Sequence, residues 1–191
     1  MESQGLADDQ VSRLIRKSRE YFELIGAELS GYVRDLFEDA QKAVKLSRER
    51  YHELGVDDIC RRCDREDGGS CCGRGIENYF DTALVIANLL AGVSLPEERH
   101  DPRSCYFLGK NGCTLVFKHT ICVNYLCHKI HETLSPSEII ELQDASGLEI
   151  ELTFLLHERI LNYLRKHGFA NYKNPGRNSY FLRQQKSWTY R

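Results

Sequence analysis

The sequence predicts a mostly α-helical fold, a helical domain that carries a small Cys-rich loop and hairpin region. Three observations predict it. Apolar residues recur at spacings of three and four over residues 8–53 and again over 148–166. No proline interrupts either stretch. Between them lie eight cysteines in two clusters, the first set in glycine- and aspartate-rich chain that suits a loop. The 191 residues fit one domain, or one domain with an appendage, and the 41% apolar content is enough for a core. The net charge of −2 gives no global argument for nucleic acid or membrane. The charge is unevenly spread: residues 1–59 carry 9 Lys/Arg and 13 Asp/Glu, whereas from Arg159 to the end there are 8 Lys/Arg and no acid.

Residues 1–59 form the first unit, a long helix or a helical hairpin. Val11, Leu14, Ile15, Phe22, Ile25, Leu29, Val33, Leu36, Phe37, Ala40 and Val44 make its apolar stripe. Gly26 and Gly31 either bend this helix or split it into an antiparallel pair. The stripe suits a helix that covers the core. Its spacing, near 3.5, also admits a homodimer through a coiled-coil seam. Residues 60–134 form the second unit, the cysteine-rich core. Within 54–76 stand five Gly, four Asp and four Cys, which reads as a loop in need of an organiser. Residues 78–92 read as helix, with Asn78 as cap, Asp81 at its third position and Gly92 as stop. Ser94–Glu98 suggests a further short turn of helix. Residues 105–117 read as a hairpin about a Gly-Lys-Asn-Gly turn.

The third unit is 135–168. Ser135, Pro136 and Glu138 form a capping box with proline at the first helical position. The helix that they open runs to Ser146, is broken by Gly147, and is followed by a second helix ending at Gly168. Residues 169–191 have no periodicity and form a basic aromatic tail. The longest apolar stretch, Ala83–Val93, is 11 residues and contains Asn88. A membrane helix needs roughly 20, so no membrane contact is expected. The N-terminus lacks the basic start and apolar run of an export signal, which points to a cytoplasmic chain.

A cytoplasmic chain keeps its thiols reduced, so clustered cysteines there point to metal before disulfides. The first cluster is Cys60, Cys63, Cys71 and Cys72; the second is Cys105, Cys113, Cys122 and Cys127. Thiolates are strong ligands for zinc and for iron–sulfur clusters, and two cysteines separated by two residues can aim both sulfurs at one metal. Eight thiols make two four-thiolate sites, or one such site with spare thiols. Adjacent Cys71 and Cys72 are expected to point apart. Arg61, Arg62, Arg65, Arg74, Lys110, Lys118 and Lys129 interleave or flank the clusters and offset thiolate charge. Neither the bacterial ferredoxin run nor a pair of zinc-ribbon knuckles is present, so the spacing does not choose between zinc and an iron–sulfur cluster. His119, His128 and His131 are candidate substitutes for a thiol, although solvent-facing roles suit them better.

The cysteine pattern resembles the YkgJ-type family of zinc- or iron-chelating CxxCxxCC proteins. Cys60 and Cys63, the Cys71–Cys72 doublet, and the segment with Cys105, Phe107, Leu108, Asn111, Gly112, Cys113, Cys122 and Cys127 carry the resemblance. It covers about residues 60–127. The chain departs from the family in the longer gap before the doublet and in Lys118-His119, where the family has Arg-Pro. The resemblance implies metal chelation by these eight cysteines. The family also occurs within flagellin lysine methylases, where an iron–sulfur cluster is implied.

The expected function is therefore a metal-binding protein whose clustered cysteines hold zinc or an iron–sulfur cluster. Two alternatives stand beside it: a redox or protein-modifying enzyme using a cluster, and a metal-stabilised module for a partner or nucleic acid. A protein partner is expected. The tail mixes Lys173, Arg177, Arg183, Lys186 and Arg191 with Tyr172, Tyr180, Phe181, Trp188 and Tyr190, which suits single-stranded nucleic acid, but packing on an acidic helix or a partner is favoured. No phosphate loop, nucleotide fingerprint, metalloprotease helix or serine-nucleophile elbow is present.

Overall fold

The computed structural model describes residues 2–66 and 71–170, with side chains described for 10–63 and 71–170. The order is helix α1 (Glu2–Glu53), α2 (Val56–Glu66), a 3-10 turn (Ile76–Tyr79), α3 (Thr82–Leu90), strands β1 (Leu108–Gly109) and β2 (Gly112–Cys113), then α4 (Thr120–Asn124), α5 (His128–Thr133) and α6 (Pro136–Lys166). The mostly helical expectation is met.

The 52 residues of α1 form one helix, about 78 Å long at a rise of 1.5 Å per residue. Neither Gly26 nor Gly31 splits it. A helical glycine costs roughly 1 kcal/mol against alanine, and the buried stripe outweighs that. Val11, Leu14, Ile15, Ile25, Leu29, Val33, Ala40 and Val44 are all buried in the main core. They cover the chain's own interior. Gly26 has a packing reason: a methyl there would stand 2.9 Å from the Phe22 ring.

Helix α3 is buried on every side from Thr82 to Asn88, because α1 and α6 enclose it. It begins later than the sequence suggests. Asp81 is its N-cap, accepting from the Leu84 N–H, while residues 76–79 form the 3-10 turn. Gly92 ends the helical segment at φ +73, in the left-handed region. Ser94–Glu98 is not helical, a correction to the expected turn. Pro96 in its middle lacks the N–H that a second turn would use.

Helix α6 is also one piece, 31 residues long, and Gly147 does not break it. The capping box at Ser135 and Glu138 is present as expected. Leu142 and Ser146 before Gly147, and Glu149, Thr153 and Leu156 after it, keep one buried face in phase. Phe169 then packs on Tyr21, with ring centroids 4.8 Å apart. The tail assigned to nucleic acid or packing, from residue 171 onward, lies outside the described residues. Among the described residues no helix is long and apolar enough to cross a membrane.

A second, smaller apolar cluster joins α2, α5 and the start of α6 through Val56, Ile59, Ile130, Leu134, Ile139 and Leu142. The loop expected over 54–76 is thus corrected: its first part is the helix α2. Gly55 at φ +70 separates α2 from α1, its N–H bonding the His52 carbonyl at 3.0 Å.

Candidate functional site

Helix α2 places the first two cysteines. Cys60 and Cys63 are three residues apart on a helix, so they share a face one turn apart. Val56 and Ile59 pin the neighbouring face onto the second cluster. Cys127 is the N-cap residue of α5 and packs against that same cluster. The Cys127 carbonyl accepts from the Ile130 and His131 N–H groups at 3.0 and 3.2 Å. Lys129 on α5 donates from Nζ to Cys63 Sγ at 3.6 Å, joining α5 to α2.

The other cysteines are set by backbone pairing. The Cys105 N–H donates to the Cys72 carbonyl at 2.7 Å, and the Arg74 N–H to the Arg103 carbonyl at 2.7 Å. Gly73 and Ser104 form an antiparallel bridge between them. The two cysteine clusters, remote in sequence, are therefore stitched together. Leu108 pairs with Cys113 across the hairpin, whose two-residue turn is Lys110-Asn111. Cys122 sits on α4, capped by His119, whose Nδ1 accepts from the Ile121 N–H at 3.2 Å. Cys72, Cys105 and Cys122 all pack on the main core.

Polar side chains that sequence reasoning missed hold this arrangement. Glu77 and Arg99 form a buried ion pair at 2.5 Å, with side chains only 1% and 5% exposed. Glu77 also accepts from the Gly75 and Tyr106 N–H groups, and Arg99 donates to the Ser104 carbonyl. This pair clamps the chain after Cys72 to the chain around Cys105. Asn88, fully buried, donates to the Leu84 and Phe117 carbonyls and accepts from the Val116 and Phe117 N–H groups. Arg48 reaches the Leu115 and Val116 carbonyls at 2.7 and 2.9 Å, and the Tyr51 hydroxyl reaches the Val123 carbonyl at 2.7 Å. Only Asn88 carried a signal in the sequence, as the polar residue in the longest apolar stretch. The others stand among many charged residues with the same local pattern.

None of the eight cysteines is in a disulfide. Burial and neighbouring charged groups shift several of them. Cys60 is pushed up to about 11 by lost solvation, and then by Cys71, Cys127, Asp57 and Cys63. Cys105 is pushed up to about 12, chiefly by burial, with Glu77, Cys113 and Cys122 adding to it. Cys122 is pushed up to about 11 by burial and by Cys113, while Lys118 pulls it down. Within the doublet each side chain acts on the other, which holds Cys71 down to about 6 and drives Cys72 upward. Cys72 also feels Cys113 and Cys122.

The backbone pairing brings the two cysteine stretches into one region, but the thiols do not form a closed donor set. Among the described residues no three His, Cys, Asp or Glu side chains stand close enough to hold a metal ion as they are placed. The expected arginine support is partly spent elsewhere: Arg61 pairs with Asp58, and Arg74 donates to the Pro102 carbonyl. His119 is engaged as a cap, and exposed His128 faces Glu132 at 3.2 Å.

A second polar pair lies away from the thiols. His157 Nε2 meets both Asp81 carboxylate oxygens at 2.9 and 3.0 Å, fastening α6 to the start of α3. No family model, curated protein or solved structure matches this chain. The resemblance to YkgJ-type proteins accordingly rests on the sequence pattern of residues 60–127 alone.

Proposed function

We propose that this chain is a metal-binding protein whose eight cysteines hold zinc or an iron–sulfur cluster. One observation carries the reading. Hydrogen bonds and a buried ion pair bring two cysteine stretches, 32 residues apart in sequence, into one region where their thiols act on one another. Thiols gathered this way repel as thiolates, and a thiophilic cation is the partner that relieves the repulsion. The donor set fits both zinc and iron–sulfur chemistry, since both take thiolate. Lys129 and Lys118 beside the thiols favour a centre of net negative charge. Binding displaces the thiol protons to solvent. Further support comes from the resemblance of the cysteine pattern to that of YkgJ-type proteins.

The test is elemental analysis of reduced protein purified without oxygen. Zinc or iron in at least stoichiometric amount is expected, with a brown colour in the iron case. Cys60→Ser and Cys63→Ser should each lower it. Fully folded, reduced protein containing neither element would falsify the proposal.

A further inference from the structure

We infer that residues 171–191 of this chain dock on the outward face of α6. The inference is independent of the metal-binding reading. It starts from a helix face that has no partner among the described residues. Helix α6 buries Leu142, Ser146, Glu149, Thr153, Leu156 and Ile160. On the opposite side Ile140, Leu148, Phe154 and Leu155 are between 43% and 58% exposed. At about 100° per residue these four fall within an arc of about 120°. Single exposed apolar residues are ordinary, whereas four in one stripe of one helix mark a contact surface. Asp144 and Glu151 lie inside the same arc and are exposed. Neither has an ion-pair partner among the described residues, whereas Glu141 meets Arg50 and Glu158 meets His157.

The charge of the face selects its occupant. From Pro136 to Glu158 the helix carries six acids and no Lys or Arg. The same face of a second copy would set carboxylate against carboxylate, and nucleic acid would set phosphate against it. A basic, aromatic segment fits both halves of the surface. Residues 171–191 hold five Lys/Arg, five aromatic residues and no acid. Their rings suit the apolar stripe, and their cations suit Asp144 and Glu151. The exposed ion pairs fix the register, and the apolar contacts supply most of the affinity. Helix α1, beside the origin of the tail, is a poorer seat, since Arg13, Arg16, Lys17 and Arg19 precede Tyr21 there. Position and length agree with α6. Gly168 leaves the helix at φ +75, and the Phe169 N–H returns to the Leu164 carbonyl at 2.9 Å. The 21 residues that follow Ala170 span about 70 Å when extended, and the way back from Lys166 to Ile140 is about 40 Å.

Trp188, the only tryptophan of the chain, reports the docking. In the full-length protein its fluorescence should lie to the blue of that of a synthetic peptide of residues 171–191, and acrylamide should quench it less. Asp144→Lys with Glu151→Lys should move the emission to the wavelength of the peptide, and Phe154→Ser with Leu155→Ser should do the same. Adding Arg183→Glu and Lys186→Glu to the lysine pair should restore the blue emission, because the charges are then exchanged between the two surfaces. All four altered positions on α6 are exposed, so the variants keep the fold, which far-ultraviolet circular dichroism checks. Emission from the unaltered protein equal to that of the peptide would overturn the inference. Blue emission indifferent to both pairs of α6 substitutions would place the tail on another surface and overturn it equally. Blue emission that is lost on dilution, together with a dimer in sedimentation, would assign the face to the tail of a second copy and reject docking within one chain. None of these readouts depends on bound metal.

Discussion

Glu149 shows what one side chain can cost. It lies on α6, 4% exposed, with its carboxyl pushed above the usual carboxylate range by burial, and Lys118 and Arg48 offset this only in part. A raised carboxyl value means that the folded chain holds the proton more tightly than the unfolded chain does. Its stabilising contribution is therefore complete below the unfolded value and is lost as pH rises through the folded one. Glu149→Gln, which keeps the shape without the charge, should raise the melting temperature at pH 7. The gain should shrink towards pH 4, where wild type is itself protonated. A pH series of thermal melts checks this, and a variant less stable than wild type at pH 7 would show the carboxylate to be net favourable. Such a residue is invisible in the sequence. Glu149 sits in Leu148–Lys166 beside Glu151 and Glu158 with nothing to set it apart, and only the packing of α1 against α6 buries it. Glu77 and Arg99 were hidden in the same way, whereas the cysteines announced themselves by clustering.

At the level of elements, Gly26, Gly31 and Gly147, each inside a long helix, behave differently. Gly31 and Gly147 have open space where a Cβ would go, and Gly26 has the Phe22 ring at 2.9 Å. Gly31→Ala and Gly147→Ala should each stabilise the protein by about 0.5–1 kcal/mol, read by chemical denaturation, because alanine loses less backbone freedom in a helix. Gly26→Ala should gain less or destabilise. Equal gains at all three would mean that Phe22 yields freely. The long apolar periods of α1 and α6 were legible in the sequence, and so were the capping box and the hairpin turn. Their continuity was not, since local propensity weighs a glycine without the tertiary contacts that carry a helix across it. Helix α2 was missed because its cysteines, arginines and aspartates suggest a loop. Val56, Ile59, Cys60 and Cys63 do stand at helical spacing, and Asp57 and Asp58 favour a helix start, signals that were there to be used.

Across the whole molecule, stability is unevenly distributed. The main core gathers α1, α3, α6 and the segment 105–117, while α2, α4 and α5 are short elements near the cysteines. On the metal-binding reading proposed above, removing metal with a strong chelator should loosen one part before the other. Amide hydrogen exchange should quicken over 56–66 and 120–133, while the interior amides of α3 keep their protection. Uniform acceleration would mean that the metal holds the whole fold together, and no change anywhere would mean that it holds none of it.

The sequence by itself determined the helical class, the two cysteine clusters, the helix start at Ser135 and the stop signals at Gly92 and Gly168, because each is written in local spacing or in a single residue's backbone preference. The tertiary structure alone decided that the glycine-bearing helices run unbroken and that α1's stripe covers its own core. It alone decided that the cysteine stretches meet. Those outcomes depend on contacts between residues far apart in the chain, such as Cys72 with Cys105 and Glu77 with Arg99, and no local pattern encodes a partner at that distance.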